Sequence, residues 1–183
     1  MSRGRLIAVV GPSGVGKDSL IDGLCAACPA LLRVRRVITR AADAGGEDFE
    51  AVRPADFARR RAAGQFALCW HAHGLSYAIP ATVHGALAAG RDAVANLSRG
   101  ALAEAGAVFP ALHVLSVTAP PDVLAARLAG RGRETPQDVA RRLTRTVPPV
   151  PAGAAITVID NGGALADAVA AALAALYPES GAR

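Results

Sequence analysis

The residues best suited to chemistry stand together at positions 11–19, where the sequence reads GPSGVGKDS. Gly11, Gly14 and Gly16 let the backbone approach an anion closely, because glycine has no Cβ and tolerates positive φ angles. Successive backbone amides at a helix N-terminus form a nest for phosphate, and Lys17 adds a point charge for the β- and γ-phosphates. This pattern predicts a phosphate-binding loop (P-loop) for a nucleoside triphosphate. The predicted nucleotide-binding residues are Gly11, Pro12, Ser13, Gly14, Val15, Gly16, Lys17, Asp18 and Ser19.

One position departs from the P-loop pattern, because Asp18 stands where a Mg²⁺-binding hydroxyl residue is expected. Ser19 follows one position later. A carboxylate beside a triphosphate is repelled unless a metal lies between them or the side chain points away. Three arrangements are therefore open: Ser19 binds the metal, Asp18 binds it, or the nucleotide supplies most of the ligands. We take Ser19 as the candidate Mg²⁺ ligand, directly or through a water molecule.

The elements that must position this loop are an apolar strand before it and a helix after it, and the same alternation recurs along the chain. Predicted buried strands lie at Leu6–Val10, Leu32–Ile38, Ala93–Asn96, Leu112–Val117 and Ala155–Ile159, and predicted helices at Lys17–Ala27, Pro80–Ala89, Ala101–Ala105, Pro121–Ala129, Pro136–Arg145 and Leu165–Leu176. This order predicts an α/β, three-layer P-loop fold with a parallel five-stranded core sheet. Ligands of such sheets bind beyond the carboxyl ends of the strands.

Two segments interrupt the alternation. Residues 40–79 contain a glycine–acidic loop, a short basic helix at Ala55–Ala63 and two short strands around a turn at His73-Gly74, which we interpret as an acceptor-binding insertion. Gly130–Glu134 combines glycines, which can act as hinges, with arginines that can meet phosphates on closure, and predicts a lid at about 130–136. We therefore predict one domain, 1–183, whose core comprises 1–39 and 80–183.

The composition suits a folded domain that handles anions. Of 183 residues, 52% are hydrophobic and 19% charged, and the net charge is +5. A basic surface of this kind binds either several phosphates or nucleic acid. Because the arginines occur in separate clusters without interleaved aromatic residues, we favour small anionic ligands over nucleic acid. No apolar run approaches the roughly 18 residues of a membrane span, and the N-terminal run is too short for a signal peptide. We expect a cytoplasmic protein without a membrane partner.

Several further motifs follow GPSGVGKDS along the chain. They are RRVITR (35–40), the Glu47-Asp48 loop, WHAHGLSY (70–77), NLSR (96–99), RLAGRGRE (127–134) and Asp160-Asn161-Gly162. Together they resemble the guanylate-kinase branch of P-loop kinases and, within it, the ribose 1,5-bisphosphate phosphokinases of the phosphonate pathway. The resemblance extends over nearly the whole chain.

The departures from the guanylate-kinase pattern concern recognition of the base. A gapless alignment places Leu68 and Ile79 where that family has the Glu and Thr that read guanine. Neither side chain can hydrogen-bond a base, and each buried polar group left unmatched costs about 1–3 kcal/mol. Two phosphate-binding positions are retained at Arg40 and Tyr77, and Arg36 adds a positive charge where that family has a serine. The family's second arginine, three positions after Arg40, is Asp43 here, so that contact is lost. A sugar phosphate without a base fits this pattern.

The resemblance implies that ATP, with Mg²⁺, phosphorylates the C1 phosphate of ribose 1,5-bisphosphate to give 5-phosphoribosyl 1-diphosphate. It implies that Lys17, Arg131 and Arg133 are catalytic, the two arginines closing on the transferred phosphoryl group as part of the lid, and that Asp160-Asn161 borders the adenine. The implied acceptor-binding residues are Arg36, Arg40, Glu47, Asp48, His73, Tyr77, Asn96, Ser98 and Arg99. The alternatives are a nucleoside monophosphate kinase, a non-catalytic binding module and a nucleic-acid-binding regulator. The sequence leaves the oligomeric state open.

Overall fold

A parallel sheet of five strands forms the centre of the molecule. The computed structural model describes residues 3–42, 47–129 and 151–178. The core strands are β1 (Leu6–Val10), β2 (Leu32–Arg33), β7 (Ala93–Asn96), β8 (Leu112–Thr118) and β9 (Ala155–Asp160). They pair in the order β2-β7-β1-β8-β9, and every pair is parallel. The predicted five-stranded parallel core is confirmed.

Helices cover both faces of this sheet. Among the described residues these are α1 (Lys17–Ala27), α3 (Val83–Ala88), α4 (Leu102–Val108), α5 (Pro121–Ala129) and α6 (Leu165–Leu176), whereas α2 (Pro54–Ala62) packs through Phe57 against Val37 and Ala78 in a separate cluster. In β1 the side chains alternate between the faces: Leu6, Ala8 and Val10 pack with residues of α3 and α4, whereas Ile7 and Val9 pack with residues of α1 and α6. This is the predicted three-layer arrangement. In the described part of the chain, no helix is both long and apolar enough to cross a membrane.

A second sheet stands beside the core. Its strands are β3 (Arg36–Ile38), β4 (Phe49–Ala51), β5 (Phe66–Ala72) and β6 (Leu75–Pro80), in the order β4-β3-β6-β5. The β3–β4 pair is parallel, and the β3–β6 and β5–β6 pairs are antiparallel. Most of the predicted insertion, together with β3, is therefore built around a sheet of its own.

The prediction of one strand at Leu32–Ile38 is wrong. Leu32 and Val34 pack against the main core, and the Val34 amide still donates to the Val94 carbonyl. Val37 instead packs with Phe57 and Ala78 in a separate small cluster. The chain thus passes from the first sheet to the second, which a continuous run of apolar and basic residues does not reveal.

Three helices also differ from their predicted bounds. The helix predicted at Ala55–Ala63 is Pro54–Ala62. The helix predicted to start at Pro80 begins at Val83, because Pro80 still belongs to β6. The helix predicted at Ala101–Ala105 is Leu102–Val108, preceded by a 3₁₀ turn at Arg99–Ala101. The predicted helix Pro136–Arg145 and the predicted lid lie outside the described residues.

Candidate active site

A cleft of about 560 Å³ opens at the carboxyl end of the core sheet, between the loop after β1 and the second sheet. Most of the predicted site residues line it, namely Gly11, Pro12, Ser13, Gly14, Gly16, Lys17, Asp18, Ser19, Arg36, Arg40, His73, Tyr77, Asn96, Ser98 and Arg99. Trp70, His71, Ala72, Leu97 and Gly100 complete the lining. The topology thus brings one loop of β1, the end of β7 and the β5–β6 hairpin to a single cavity.

The loop from Gly11 to Gly16 has the backbone that a phosphate nest requires. Gly14 and Gly16 adopt φ angles of 81° and 90°, which side-chain-bearing residues rarely reach. Gly16 also caps α1, so the helix N-terminus faces the cleft. The Val15 side chain is buried in the core instead, so only its backbone can belong to the predicted nucleotide-binding set.

Lys17 lies in this loop with its ammonium turned back on the backbone. Its Nζ donates to the carbonyl oxygens of Gly11 at 3.1 Å and Pro12 at 3.2 Å. Burial lowers the pKa of Lys17 to about 8, an effect that Asp18 opposes and the nearby Arg36 and Arg99 reinforce. A bound polyphosphate reverses this balance, because it supplies the negative charge that stabilises the ammonium.

Nucleotide affinity should therefore weaken above pH 8. Below that pH the Lys17 side chain is charged and can bind phosphate directly. Above it Lys17 is neutral in the free protein and must take up a proton when the nucleotide binds. We expect the Kd for ADP to be flat to about pH 7.5 and then to rise by up to about tenfold per pH unit. Isothermal titration between pH 7 and 9.5 measures this. Lys17→Arg stays charged over this whole pH range, so its Kd for ADP should not change with pH, whatever the value of that Kd. If the Kd of the wild-type protein did not change between pH 7 and 9.5, Lys17 would not be the group whose charge binds the nucleotide phosphates.

Asp18 and Asn96 meet across the cleft. The Asn96 Nδ2 donates to Asp18 Oδ1 at 2.9 Å, which ties the first turn of α1 to the end of β7. The Ser19 side chain is exposed and lines the same cleft. Carboxylate, hydroxyl and amide oxygens are the hard ligands that Mg²⁺ prefers. Within the described residues no group of three His, Cys, Asp or Glu side chains could hold a metal ion.

The opposite wall combines a buried cation with stacked aromatic rings. The Arg36 guanidinium lies 5.1 Å from the centre of the Tyr77 ring and 5.8 Å from that of Trp70. The two rings stack at 5.4 Å with an interplanar angle of 8°. Arg40, a short distance along the chain, lies 4.2 Å over the Phe49 ring. The aromatic rings thus support two guanidinium groups on this wall of the cleft.

Trp70 and His71 are cleft residues that the sequence analysis did not select. Trp70 can be predicted to face the cleft from the register of the hairpin. The two-residue turn at His73-Gly74, with φ angles of 52° and 73°, places Tyr77 directly opposite Trp70. Cross-strand partners share a face of the sheet, so a cleft-facing Tyr77 requires a cleft-facing Trp70. His71 has its Nδ1 3.0 Å from the Ser76 Oγ on the same hairpin.

Glu47 and Asp48 are not among the residues that line the cleft, in contrast to the prediction that both contact the acceptor. Glu47 forms a two-point ion pair with Arg36, and only 9% and 8% of the two side chains are exposed. Asp48 pairs with Arg35 at 2.9 Å in a pair whose side chains are 65% and 59% exposed. The two neighbouring carboxylates thus lie in different environments, because Glu47 is buried and Asp48 is exposed to solvent. Arg131 and Arg133, the predicted lid arginines, lie outside the described residues.

Leu68 and Ile79, at the positions that read a base in guanylate kinases, lie directly opposite each other in β5 and β6. They are 2% and 0% exposed and belong to the main hydrophobic cluster. Neither residue is among those that line the cleft, and neither side chain has a polar atom with which to read a base.

Comparisons with known proteins agree with this geometry. The chain is 50% identical over 179 residues to a ribose 1,5-bisphosphate phosphokinase of Ruegeria sp. (strain TM1040), covering 97% of this chain and 94% of that protein. It is 48% identical over 166 residues to one from Agrobacterium fabrum, covering 89% and 91%. A guanylate kinase from Anaplasma phagocytophilum shares the fold, with a TM-score of 0.72, 16% identity and coverage of 99% and 88%. No family model matches the chain.

Proposed function

The chain belongs to the ribose 1,5-bisphosphate phosphokinase family, and we propose on that premise that it transfers the γ-phosphoryl group of ATP to the C1 phosphate of ribose 1,5-bisphosphate. The products are ADP and 5-phosphoribosyl 1-diphosphate. The observation that supports this best is the contrast between the polar cleft and the Leu68–Ile79 pair. Phosphate-binding groups line both walls, while the Leu68–Ile79 pair that corresponds to base-reading positions is apolar and buried.

In this reaction an oxygen of the acceptor phosphate forms a bond to the γ-phosphorus as the bond to the β,γ-bridging oxygen breaks. The attacking phosphate is already anionic, so no general base is needed. Catalysis then consists of positioning and charge stabilisation. Lys17 and the loop amides hold the ATP phosphates, and Arg36, Arg40 and Tyr77 hold the acceptor from the opposite wall. These roles rest on the location of the side chains in one cleft.

The proposed metal is Mg²⁺, which oxygen atoms at the start of α1 would hold. When bound, it would supply positive charge that stabilises the β- and γ-phosphates. Ser19 remains the proposed ligand, directly or through water. The Asn96–Asp18 hydrogen bond adds Asp18 Oδ1 as an ordered neighbour of the same site. Arg131 and Arg133 keep their proposed role of closing on the transferred phosphoryl group.

A product assay tests this function. ATP and Mg²⁺ are supplied with ribose 1,5-bisphosphate or, in parallel, with GMP, and ADP and the diphosphate product are quantified. We expect turnover of the sugar phosphate at least about 30-fold faster than that of GMP, because two unmatched polar groups at about 1–3 kcal/mol each penalise the base. EDTA should abolish turnover. Preferred turnover of GMP would show that the interpretation of Leu68 and Ile79 is wrong.

A further inference from the structure

A buried asparagine lies behind the phosphate loop rather than inside the cleft. Asn161 follows β9 and is only 4% exposed. Its own backbone amide donates to the Thr118 carbonyl at 2.8 Å, which fixes the residue to the end of β8. Its side-chain Nδ2 donates to the carbonyl oxygen of Val15 at 2.8 Å. Only the amide nitrogen can donate to a carbonyl, so the orientation of this side chain is determined.

This hydrogen bond controls the peptide that joins Val15 to Gly16. In a trans peptide the carbonyl of one residue and the N–H of the next point in opposite directions, and none of the described peptide bonds is cis. With the Val15 carbonyl held on Asn161, behind the loop, the Gly16 N–H is directed to the other side. That side is the cleft, since Gly16 lines it.

Close packing supports the same contact. A Cβ built on Gly16 would lie 2.6 Å from the Asn161 Nδ2, so the loop and this amide are in direct contact. Arg127 contributes a second donor to the Val15 carbonyl, at a longer distance of 3.4 Å. The Asn161 bond is thus the shorter of these two restraints on a loop that would otherwise be flexible because of its glycines.

We propose that Asn161 is a positioning residue for phosphoryl transfer, which fixes the Val15–Gly16 peptide so that the Gly16 N–H is preset toward the nucleotide phosphates. It acts through the loop and does not touch the reacting atoms. This role differs from the adenine-bordering role that the sequence resemblance implies. The inference rests on the proposed use of the loop for a nucleotide, and it does not depend on the identity of the acceptor.

Two substitutions remove the donor. Asn161→Asp keeps the shape of the side chain and replaces the amide with an oxygen, whereas Asn161→Leu keeps much of its volume. Both should weaken ADP binding, measured by isothermal titration calorimetry, by about tenfold to hundredfold, because the Val15 carbonyl loses the shorter of its two hydrogen bonds and keeps only the longer one from Arg127. The KM for ATP should rise in parallel, and the KM for ribose 1,5-bisphosphate should stay within twofold of wild type. Asp167→Asn, on the exposed first turn of α6, is the matched control and should bind ADP as wild type does.

A spectroscopic measurement separates positioning from a general loss of structure. In wild type, addition of ADP should move the Gly16 amide proton resonance downfield, as expected for a new hydrogen bond to phosphate. In folded Asn161→Asp the shift should be reduced. In wild type alone, a scalar coupling should join the Asn161 side-chain nitrogen to the Val15 carbonyl carbon, and this test does not require either variant to fold.

The outcomes are distinct. ADP affinity of Asn161→Asp within twofold of wild type, or absence of the coupling across the hydrogen bond, overturns the inference. Wild-type protein that binds ADP but does not phosphorylate ribose 1,5-bisphosphate overturns the proposed function and leaves the ADP measurements valid. Loss of ADP affinity together with an unchanged KM for the acceptor supports the positioning role.

Discussion

Replacement of Lys17 by alanine is expected to lower kcat/KM for phosphoryl transfer by about 10³-fold or more. The ammonium lies at the start of α1 and is held by the Gly11 and Pro12 carbonyls, so it is already placed within the loop. Negative charge on the β- and γ-phosphates must be neutralised in the transition state, and the burial of Lys17 makes the loss of this cation costly. Steady-state rates at saturating Mg²⁺ measure the effect.

The same variant should remain at least as stable as wild type. Burial lowers the pKa of Lys17 to about 8, which means that the folded protein without nucleotide carries an unfavourable charge at neutral pH. Removing that charge removes the cost, so the Tm of Lys17→Ala should be equal or higher. Lys17→Arg is a second comparison, because it keeps a charge that cannot be lost at alkaline pH. Activity of Lys17→Ala within tenfold of wild type would show that Lys17 does not serve the transferred phosphoryl group.

Replacement of Glu47 by glutamine is expected to have the largest effect on stability. Glu47 neutralises Arg36 where both side chains are almost fully buried. Breaking a buried pair from one side leaves an uncompensated charge and typically costs about 3–5 kcal/mol. For a chain of this size the Tm should fall by on the order of 10 °C. Differential scanning calorimetry measures the change.

The neighbouring carboxylate is the matched control for this prediction. Asp48 pairs with Arg35 in water, and exposed pairs contribute about 0–1 kcal/mol. Asp48→Asn should therefore leave the Tm within about 2 °C of wild type. Inorganic phosphate should raise the Tm of Glu47→Gln more than that of wild type, because an anion in the cleft can partly replace the lost carboxylate beside Arg36. Equal Tm values for the two variants would contradict a buried Arg36–Glu47 pair.

The fluorescence of Trp70 offers a second way to follow the Arg36–Glu47 pair, through the effect of acceptor binding on this wall of the cleft. Trp70 is the single tryptophan of the chain and stacks on Tyr77 next to the Arg36 guanidinium. Its fluorescence reports on this wall without a label. Glu47, which the family resemblance implies to be an acceptor-binding residue, accepts a hydrogen bond from Arg36 Nε and so orients the guanidinium beside these rings.

The phosphate loop and the core sheet could be predicted from the sequence because their signals are local. Glycine spacing, the preceding apolar strand and the following helix lie within residues 6–27, and the observed β1 and α1 have the predicted bounds. The same is true of α5 and α6, which also match the predicted ranges. Neighbouring residues alone set hydrophobic periodicity and backbone conformation, so short windows contain the information.

The passage from β2 to β3 could not be predicted in this way. Leu32–Ile38 looks like one apolar strand with basic interruptions, and nothing within it indicates that Leu32 and Val37 belong to different clusters. That division depends on Phe57 and Ala78, which provide a second core for Val37. Only the assembled fold supplies those neighbours.

The sequence by itself therefore determined the fold class, the loop that binds phosphate and most of the side chains around the cleft. The tertiary structure decided which of those side chains pair with one another. Glu47 pairs with Arg36, Asp18 meets Asn96 from 78 positions away, and Asn161 reaches Val15 across 146 positions. The physical reason is that such contacts depend on strand order and on the path of loops between sheets. These relations are absent from any local stretch of sequence.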